Sequence, residues 1–400
     1  MINKQVDILI VGGGLTGAIL KLALADSGYS TLLIDINPFS AKVHADFDAR
    51  TLALSPASIR ILQMLKIWPL LQPEATAIEQ IYVTEQSRFG SAHIDSELDK
   101  PLGYVVEMQQ INRALHHLFT EQEILAPARL HALDIEKSLA SISTEKGELL
   151  VQAKLIVAAD GTDSAVRRLS ALPAKIKDYQ QRAIVANIGL ARAHQNIAHE
   201  RFTSSGPLAL LPMTKGRASL VWVKNPAEAE SLMSLSEAEF LSHLQKAFGY
   251  RLGRFTRVGK RVIYPLRQLT MPKKITWPLV FVGNAAHTLH PVAGQGFNLG
   301  LRDVATLAQC IIQQGLSETM LNNYQAMRQH DEQAIIHLTN SFINIFTSRI
   351  PGMALARTLG LLAVDNLPFL KGCLTRYTCG FAGNTPDLVC GIALDVKESK

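Results

Sequence analysis

The 400-residue sequence predicts an α/β protein whose first domain has a parallel sheet, is interrupted by an antiparallel-sheet domain and is followed by C-terminal helices. A short apolar run, Val6 to Val11, leads through three glycines into an amphipathic stretch, Ala18 to Ser27, as in a strand, a turn and a helix. The middle of the chain has short apolar segments between polar turns, which favours antiparallel strands. A late apolar run, a glycine-rich loop and a helical pattern then indicate a return to the first domain.

The first of these patterns is a βαβ unit. Gly28 ends the predicted helix, and Thr31 to Ile36 predicts a second buried strand with Asp35 near its end. The first domain is therefore expected to be Rossmann-like.

The inserted domain is predicted from segments such as Ala183 to Leu190 and Ala218 to Val223. Leu279 to Val282 and Gly300 to Gln313 then predict a strand and a helix of the first domain. The predicted boundaries are residues 1–75, 105–177 and 278–330 for the first domain, 76–104 and 178–277 for the inserted domain, and 331–400 for the helical region.

The composition excludes several classes of protein. Hydrophobic residues make up 48% and charged residues 18%, unlike a disordered chain. The four cysteines have no metal-ligand spacing, so we expect no metal site. We expect a reduced, cytoplasmic compartment. The N-terminus has no signal-peptide pattern. A basic run at 251–261 indicates a solvated face or attraction to anionic lipid, and no nucleic-acid motif accompanies it.

Gly12, Gly14 and Gly17 form the first motif, with the spacing GxGxxG. Such glycines permit a tight turn, the approach of a pyrophosphate to backbone amides at a helix N-terminus, and close packing of helix on strand. Asp35 lies 18 residues beyond Gly17, where an acid can accept hydrogen bonds from an adenosine ribose. The set predicts dinucleotide binding, and an incidental glycine turn is the alternative.

The second motif is Asp160-Gly161, which directly follows an apolar strand, Leu155 to Ala158. Ser164 can cap the helix after the turn, and Arg167 lies in that helix. By itself this is an ordinary structural turn.

The third motif is a loop of small residues that ends at the start of a helix. It begins at Gly283-Asn284-Ala285-Ala286-His287 and continues through Pro291, Gly294, Gln295, Gly296, Asn298 and Asp303. Such a loop can offer backbone amides to a ribityl-phosphate chain and to the edge of a flavin.

The three motifs, in this order, resemble the GxGxxG, DG and GD motifs of the flavoprotein aromatic hydroxylases, the p-hydroxybenzoate hydroxylase-like proteins, over nearly the whole chain. Within that family the chain is more similar to the ubiquinone-biosynthesis hydroxylases. That likeness lies in Asp48-Ala49-Arg50 with Leu52-Ala53-Leu54, Gly206-Pro207-Leu208-Ala209 with Leu211-Pro212, and the block GNAAHTLHPVAGQGFNLGLRD from Gly283. The stretch from Glu200 to Trp222 is similar to the branch that hydroxylates 2-octaprenyl-6-methoxyphenol.

The resemblance implies that the first domain binds FAD and that the inserted domain binds the substrate. The glycines of the first motif would hold the pyrophosphate and Asp35 the ribose. Arg50 would approach the FAD phosphates, or else cap a surface helix. The DG turn would contact both FAD and the reduced nicotinamide, and the loop Pro291, Gly294, Gln295 and Gly296 would lie along the isoalloxazine ring. The implied cofactor-binding residues are Gly12, Gly14, Gly17, Asp35, Arg50, Asp160, Gly161, Arg167, Gly283, Asn284, Pro291, Gly294, Gly296 and Asn298.

Two residues depart from the family pattern. Asn284 replaces the acid of the GD motif with an uncharged amide that still forms hydrogen bonds, as is typical of the 2-octaprenyl-6-methoxyphenol branch. Met108 stands where many relatives carry Asn or Gln, which puts that FAD contact in doubt. His287 and His290 lack partnering metal ligands, so we expect them to pack beside the flavin or, as an alternative, to transfer protons.

The family's activity implies that NAD(P)H reduces FAD, that O2 adds to the flavin at C4a, and that the hydroperoxide hydroxylates a polyprenylated phenol in ubiquinone biosynthesis. The protein would shield this chemistry from water and hold the ring, without a side-chain nucleophile. An isoprenoid reductase and a non-catalytic flavoprotein subunit of a biosynthetic complex are the alternatives.

The apolar stretch from Phe342 to Leu370 is interrupted by charges, so we expect it not to cross a membrane. With Arg349, Arg357 and Lys371 it suits an interfacial helix at the inner face of the cytoplasmic membrane, whose cations face anionic head groups. The alternative is that these helices cap the FAD domain. Contact with other ubiquinone-biosynthesis proteins is also expected.

Overall fold

Two large sheets and one small sheet form the framework of the molecule. The computed structural model describes residues 2–38, 50–96, 100–120, 123–348 and 350–394. The first sheet has the strand order β18-β19-β11-β1-β2-β8, with β9 and β10 added beside β11. Its strands are β1 (Ile2–Val11), β2 (Thr31–Ile34), β8 (Ile124–Leu125), β9 (Ala128–Asp134), β10 (Leu139–Thr144), β11 (Gly147–Ala158), β18 (Ile275–Thr276) and β19 (Leu279–Phe281).

The centre of this sheet is parallel, as predicted. β1 pairs in parallel with β2 and with β11, and β11 pairs in parallel with β19. Ile8 and Ile10 pack on one face of the sheet, and Leu9 and Val11 on the other. Strands buried on both faces explain the unbroken apolar run in the sequence.

The second sheet has the order β20-β17-β12-β15-β14-β13-β5-β6, with β16 beside β12. All its pairs are antiparallel except β13 with β5, which confirms the predicted inserted antiparallel sheet. Its strands are β5 (Gln80–Glu85), β6 (Ser91–Asp95), β12 (Lys175–Leu190), β13 (Ile197–Thr203), β14 (Gly206–Met213), β15 (Arg217–Lys224), β16 (Phe255–Val258), β17 (Val262–Thr270) and β20 (His287–Thr288).

A small sheet of order β3-β7-β4 is formed by β3 (Thr51–Leu54), β4 (Thr76–Ile78) and β7 (Gly103–Glu107). The helices of the described residues are α1 (Leu15–Ala23), α2 (Pro56–Met64), α3 (Trp68–Leu71), α4 (Met108–Leu118), α5 (Ala165–Leu169), α6 (Pro226–Ser234), α7 (Glu237–Phe248), α8 (Gln295–Gln314), α9 (Glu318–Thr347), α10 (Met353–Asn366), α11 (Pro368–Thr378) and α12 (Asp387–Cys390). Two helix bounds differ from the prediction. Helix α1 ends at Ala23, five residues before Gly28, where the sequence predicts its end, and α8 begins at Gln295, five residues before the predicted start at Gly300.

The two faces of the second sheet differ in what covers them. Residues such as Leu210 and Trp222 pack with Leu232 of α6 and with Phe240 and Phe248 of α7, and we call this the covered face. Side chains alternate along strands, so the residues between them point to the opposite, inner face. The inner face carries Ala183, Glu200, Phe202, Ala209, Ser219, Val221 and Val223.

The inner face meets the rest of the protein through β3, β7 and α9. Ser219 Oγ lies 2.7 Å from Thr51 Oγ1 of β3. Arg217 Nη2 donates to Glu107 Oε1 of β7 over 2.6 Å in a buried ion pair. The ring of Phe202 stacks on Phe346 of α9, with centroids 3.5 Å apart. The inner face is therefore in direct contact with β3, β7 and α9.

A buried network of charges joins α8 and α9. Arg302 of α8 and Arg328 of α9 both donate to Asp331, over 2.7 and 2.5 Å. Arg328 Nε also donates to Asp303 Oδ1 over 2.8 Å, and His287 Nε2 lies 2.6 Å from Asp303 Oδ2. Burial alone would raise the pKa of the Asp303 carboxyl, but His287 and Arg328 hold that pKa well below its usual range. Asp303 therefore stays a carboxylate in the interior.

The C-terminal helices pack on different parts of the molecule: α12 packs on α2 and α8, and α10 packs on the second sheet. Helix α10 contacts β5 and β6, and His93 N donates to Asp365 Oδ1 over 2.7 Å. The expectation that Arg357 faces head groups is wrong, because its side chain is 9% exposed and its Nη2 donates to Glu85 Oε1 over 2.7 Å. The alternative, a cap on the FAD domain, also does not describe α10. Arg349 lies outside the described residues.

Among the described helices, none by itself is long and apolar enough to span a membrane. Helices α10 and α11 together meet that composition, but they are bent by 91° at their junction. Their outward side is apolar, with Leu355 64%, Leu359 56%, Leu367 51% and Phe369 79% exposed. We call these four residues the C-terminal apolar face.

The charge network generates a stability prediction. Asp331→Ala leaves Arg302 and Arg328 buried without their shared carboxylate, so we expect the free energy of unfolding to fall by about 3–5 kcal/mol. Urea denaturation measures this loss. The control is Asp134→Ala, which removes an ion pair with the 76% exposed Lys137 and should leave the midpoint unchanged. Equal midpoints for both variants would contradict a structural role of the network.

Candidate cofactor and substrate site

The three glycines of the first motif have two different tasks. A Cβ on Gly12 would lie 2.5 Å from Ala159 O, and one on Gly17 would overlap the carbonyl oxygen of Gly12, so both permit close packing. A Cβ on Gly14 would meet nothing within 4 Å. Gly14 is the N-cap of α1, whose first turn has neither a side-chain cap nor an acid. The open space therefore lies in front of uncapped backbone N–H groups, which suits a pyrophosphate.

Asp35 is held beside this turn by backbone groups. Gly13 N donates to its Oδ2, and Asn37 N donates to its Oδ1, each over 2.7 Å. A carboxylate oxygen can accept a second hydrogen bond, so both oxygens retain capacity for ribose hydroxyls. The predicted ribose contact fits this geometry.

The DG turn presents an unpartnered carboxylate oxygen. Asp160 Oδ2 accepts from Val166 N over 3.1 Å, whereas its buried Oδ1 has no partner among the described residues. Gly161 has φ +79°, and a Cβ there would meet open space. Ser164 caps α5 as predicted, by accepting from Arg167 N over 3.0 Å. A buried acceptor without a partner beside open space fits a bound ligand with a hydroxyl group.

Arg167 ties the DG turn to the third motif. Its Nη1 donates to Ala285 O over 2.9 Å, and its Nη2 to Thr162 O over 2.5 Å. Both terminal nitrogens are thus bound to backbone carbonyls. In this arrangement Arg167 fixes two loops of the site relative to each other.

The start of the third motif is held by the protein at Gly283 and is open to solvent at Asn284. Gly283 has φ +57°, and its N donates to Asp303 Oδ2 over 3.0 Å. A Cβ on Gly283 would lie 3.0 Å from Thr16 of α1, which brings this loop next to the glycine turn. The side chain of Asn284 is exposed. The predicted amide contact to a ribityl chain is therefore sterically free.

The loop Pro291–Gly296 leads into α8 beneath β3. Gly294 has φ +60°, and a Cβ there would lie 3.2 Å from Ala53 Cβ, while one on Gly296 would meet open space. Gln295 is buried, and its Nε2 donates to Thr378 O of α11 over 3.2 Å. The position of Gly296 leaves room for a flat ring against the loop.

Asn298 has a structural task. Its Oδ1 accepts from Ser55 N over 2.9 Å and Ser58 Oγ over 2.7 Å, and its Nδ2 donates to Ala53 O and Gly294 O, each over 2.9 Å. These four bonds use the full capacity of the amide. A contact of Asn298 with the cofactor would therefore use its backbone.

Arg50 reaches the inserted sheet. Its Nη1 donates to Tyr264 Oη of β17 over 3.2 Å, and its side chain is exposed. Asp48 and Ala49 lie outside the described residues. Met108 N donates to Arg50 O over 2.7 Å, so the Met108 backbone holds this segment regardless of its side chain.

The two histidines have different partners. His287 binds Asp303, as described above. His290 Nδ1 accepts from Val292 N over 3.3 Å, and its Nε2 lies 3.3 Å from Gln181 Oε1 of the second sheet. Burial lowers the pKa of His290 to about 4, so the ring is neutral at physiological pH. Among the described residues no cluster of three or more His, Cys, Asp or Glu is arranged to hold a metal.

Several residues of the site were missed by sequence reasoning: Gln181, Glu107, Arg217 and Glu200, with Arg328 behind them. Most sit in ordinary strand or helix patterns and carry no local signal. A signal for Arg328 existed in the neighbouring pair Arg302 and Asp303, because two charges inside the apolar helix pattern of α8 indicate buried partners.

Comparison with known proteins agrees with this geometry. The family model described as "FAD binding domain" matches residues 5–339. Ubiquinone hydroxylase UbiL of Rhodospirillum rubrum is 35% identical, over 98% of this chain and 94% of that protein. The 3-demethoxyubiquinol 3-hydroxylase of Escherichia coli is 30% identical, over 95% and 100% of the two chains. The crystal structure of p-nitrophenol 4-monooxygenase PnpA from Pseudomonas putida, at 17% identity, superposes with a TM-score of 0.77 over 95% of this chain and 99% of that one, which shows the same fold. The chain belongs to the family of FAD-dependent monooxygenases that includes the ubiquinone hydroxylases.

Proposed function

We propose that this protein hydroxylates the aromatic ring of a polyprenylated phenol in ubiquinone biosynthesis, with NAD(P)H and O2 as co-substrates. The observation that carries the proposal is the placement of two open spaces opposite the inner face of the second sheet. One lies in front of the N-terminus of α1 at Gly14, and the other lies at Gly296 in the loop before α8. Ubiquinone hydroxylases among the relatives support the substrate class. Similarity of the 200–222 stretch to the 2-octaprenyl-6-methoxyphenol branch supports a ring of that type.

The residues divide the work of holding FAD. The N–H groups at Gly14 and the start of α1 would bind the pyrophosphate, Asp35 the ribose, and Asp160 Oδ1 a cofactor hydroxyl. Asn284, Pro291, Gly294 and Gly296 would surround the ribityl chain and the ring. When bound, FAD supplies the transfer of electrons from the nicotinamide to dioxygen. The protein's part is to position the ring and to exclude water.

A second group of residues suits an apolar substrate. The inner face is apolar at Ala183, Ala209, Val221 and Val223. A cavity of about 700 Å³ lies beside it and has Phe202, Phe346, Ile350 and Ala354 in its wall, together with polar side chains such as Thr203 and Ser348. We propose that the ring binds at the inner face and that the prenyl tail leaves through this cavity.

The cavity is lined in part by Ala354 and Arg357 of α10, the helix that also carries Leu355 and Leu359 of the C-terminal apolar face. We propose that this apolar face docks on the inner surface of the cytoplasmic membrane. A polyprenyl tail gains about 0.8 kcal/mol per CH2 buried in the bilayer, so the enzyme must meet its substrate at a surface or receive it from a partner protein. The exposed Arg376 and the partly exposed Lys371 lie on α11, where they can contact anionic head groups.

The test of the function is turnover of a short-chain 2-prenyl-6-methoxyphenol. We expect O2 and NADH or NADPH to be consumed only with the phenol present, and hydroquinone to form in equal amount. Oxygen electrode traces and chromatography measure this. A reductase would change the phenol's side chain without consuming O2 stoichiometrically, and a non-catalytic subunit would show neither reaction; either result would refute the proposal.

Gly14→Val should abolish retention of FAD, because its side chain would fill the space in front of α1. The matched control is Gly360→Val, which also adds a valine in open space but on the exposed side of α10. Flavin absorbance per protein after gel filtration gives the result. Normal FAD content in Gly14→Val would show that the space in front of α1 does not hold the cofactor.

Flotation with anionic liposomes tests the docking surface. The double variant Leu359→Glu, Phe369→Glu should lose flotation, since it places two charges in the C-terminal apolar face. Ile176→Glu, at a 64% exposed residue of β12, is the control and should float like the wild type. Failure of the wild type to float at either low or high salt would favour delivery by a partner protein.

A further inference from the structure

Glu200 is a carboxyl in an apolar setting. It lies on β13, where its cross-strand neighbours are Ala209 of β14 and Val83 of β5. The neighbouring inner-face residues along β13 are Ala198 and Phe202, both buried. None of these side chains can form a hydrogen bond with a carboxylate.

The carboxyl of Glu200 has no hydrogen bond or ion pair among the described residues, although every strand around it is described. The side chain is only partly exposed. Burial raises its pKa to about 7, and no nearby charge contributes to the shift. A carboxyl that is partly withdrawn from water and has no protein partner resists ionisation, and groups whose pKa is shifted in this way concentrate at sites that bind a ligand.

Two other acids on this side of the sheet are already paired. Glu85 of β5 is bound to Arg357 of α10, and Glu107 of β7 to Arg217 of β15. His290 of the loop before α8 is neutral. Helix α9, which contacts β13 and β14, has no charged residue in its sequence from Leu338 to Thr347. Glu200 is thus the free acid of the inner face within the described chain.

The inner face also lies close to the loop Pro291–Gly296 through β3. Ser219, on the next inner-face row of β15, is bonded to Thr51 of β3, and Ala53 of the same strand lies against Gly294. A ring bound on the inner face therefore lies between Glu200 and the loop that shapes the flavin position.

We propose that Glu200 binds the phenol hydroxyl of the substrate and accepts its proton. The inference rests on the proposed function. In this step the O–H bond of the phenol breaks, its electron pair stays on the phenol oxygen, and the proton moves to a carboxylate oxygen of Glu200. Neither group is oxidised or reduced. The resulting phenolate ring is richer in electrons, which favours attack on its carbon atoms, and the proton leaves to solvent after turnover.

The key variant is Glu200→Gln, which keeps the shape but cannot accept the proton. We expect hydroxylation of the short-chain 2-prenyl-6-methoxyphenol to slow by about 100-fold, the low end for general base catalysis, with FAD content unchanged. In the wild type, kcat/KM should fall as pH drops through about 7, the pKa of Glu200. This acidic limb of the pH profile should be absent in Glu200→Gln. Glu200→Asp keeps a carboxylate and should retain the limb at a reduced rate. The control is Glu230→Gln, at an exposed acid of α6, which should behave as the wild type.

A readout without turnover is thermal stability. Because folding raises the pKa of Glu200 from 4.5 to about 7, its favourable contribution is complete below pH 4.5 and is lost as pH rises through 7. Glu200→Gln lacks this loss, so its melting temperature relative to the wild type should increase between pH 5 and pH 8.

The outcomes separate the two proposals. Wild-type rates and an unchanged pH limb in Glu200→Gln would overturn the role of Glu200 while hydroxylation stands. A wild type that does not hydroxylate the phenol refutes the proposed function, and the melting curves and phenol binding by Glu200→Gln then still decide whether the carboxyl faces the ligand. A variant that is equally stable at all pH values and binds the phenol with unchanged affinity would overturn the inference.

Discussion

The carboxylate of Asp303 connects the cofactor site to the helices behind it. One oxygen accepts from Gly283 N and faces His287, and the other accepts from Arg328 of α9. A charge without solvent is tolerated only with such partners, so the loop can take this course only when α8 and α9 are docked. Arg167 adds a second tie from the DG turn to the same loop. The open spaces at the cofactor site thus depend on contacts that no ligand touches.

The first sheet and its turns were predictable because their causes are local. Ile8 to Val11 are apolar on both faces because parallel strands are buried on both sides, and this pattern stands in the sequence. The glycine spacing reflects steric contacts within a few residues, such as Gly17 against Gly12. Ser164 lies three residues before the N–H that it caps. The domain boundaries and the individual ligand contacts stay predictions.

Features that depend on distant partners were not predictable. Arg357 looked like an exposed cation, but its partner Glu85 is 272 residues away in the chain. The position of Glu200 on the inner face depends on the register of β13 with two other strands, and a shift of one residue would place it on the covered face. Helix α8 begins before the predicted start because Gly294, in a left-handed conformation, ends the loop there. A glycine-rich pattern does not show where the helix begins.

The parallel pairing of β11 with β19 also governs how the protein is made. Val157 and Val280 are neighbours in the sheet, yet strands β12 to β17, which form most of the inserted sheet, lie between them in the chain. During synthesis, at roughly 5–20 residues per second, β11 therefore exposes an unpaired apolar edge on the order of ten seconds before β19 leaves the ribosome. Throughout that interval the nascent chain has a surface that chaperones bind and that other strands can pair with wrongly. Expression yield should thus respond to translation speed across the inserted sheet, and chaperone supply should matter most there.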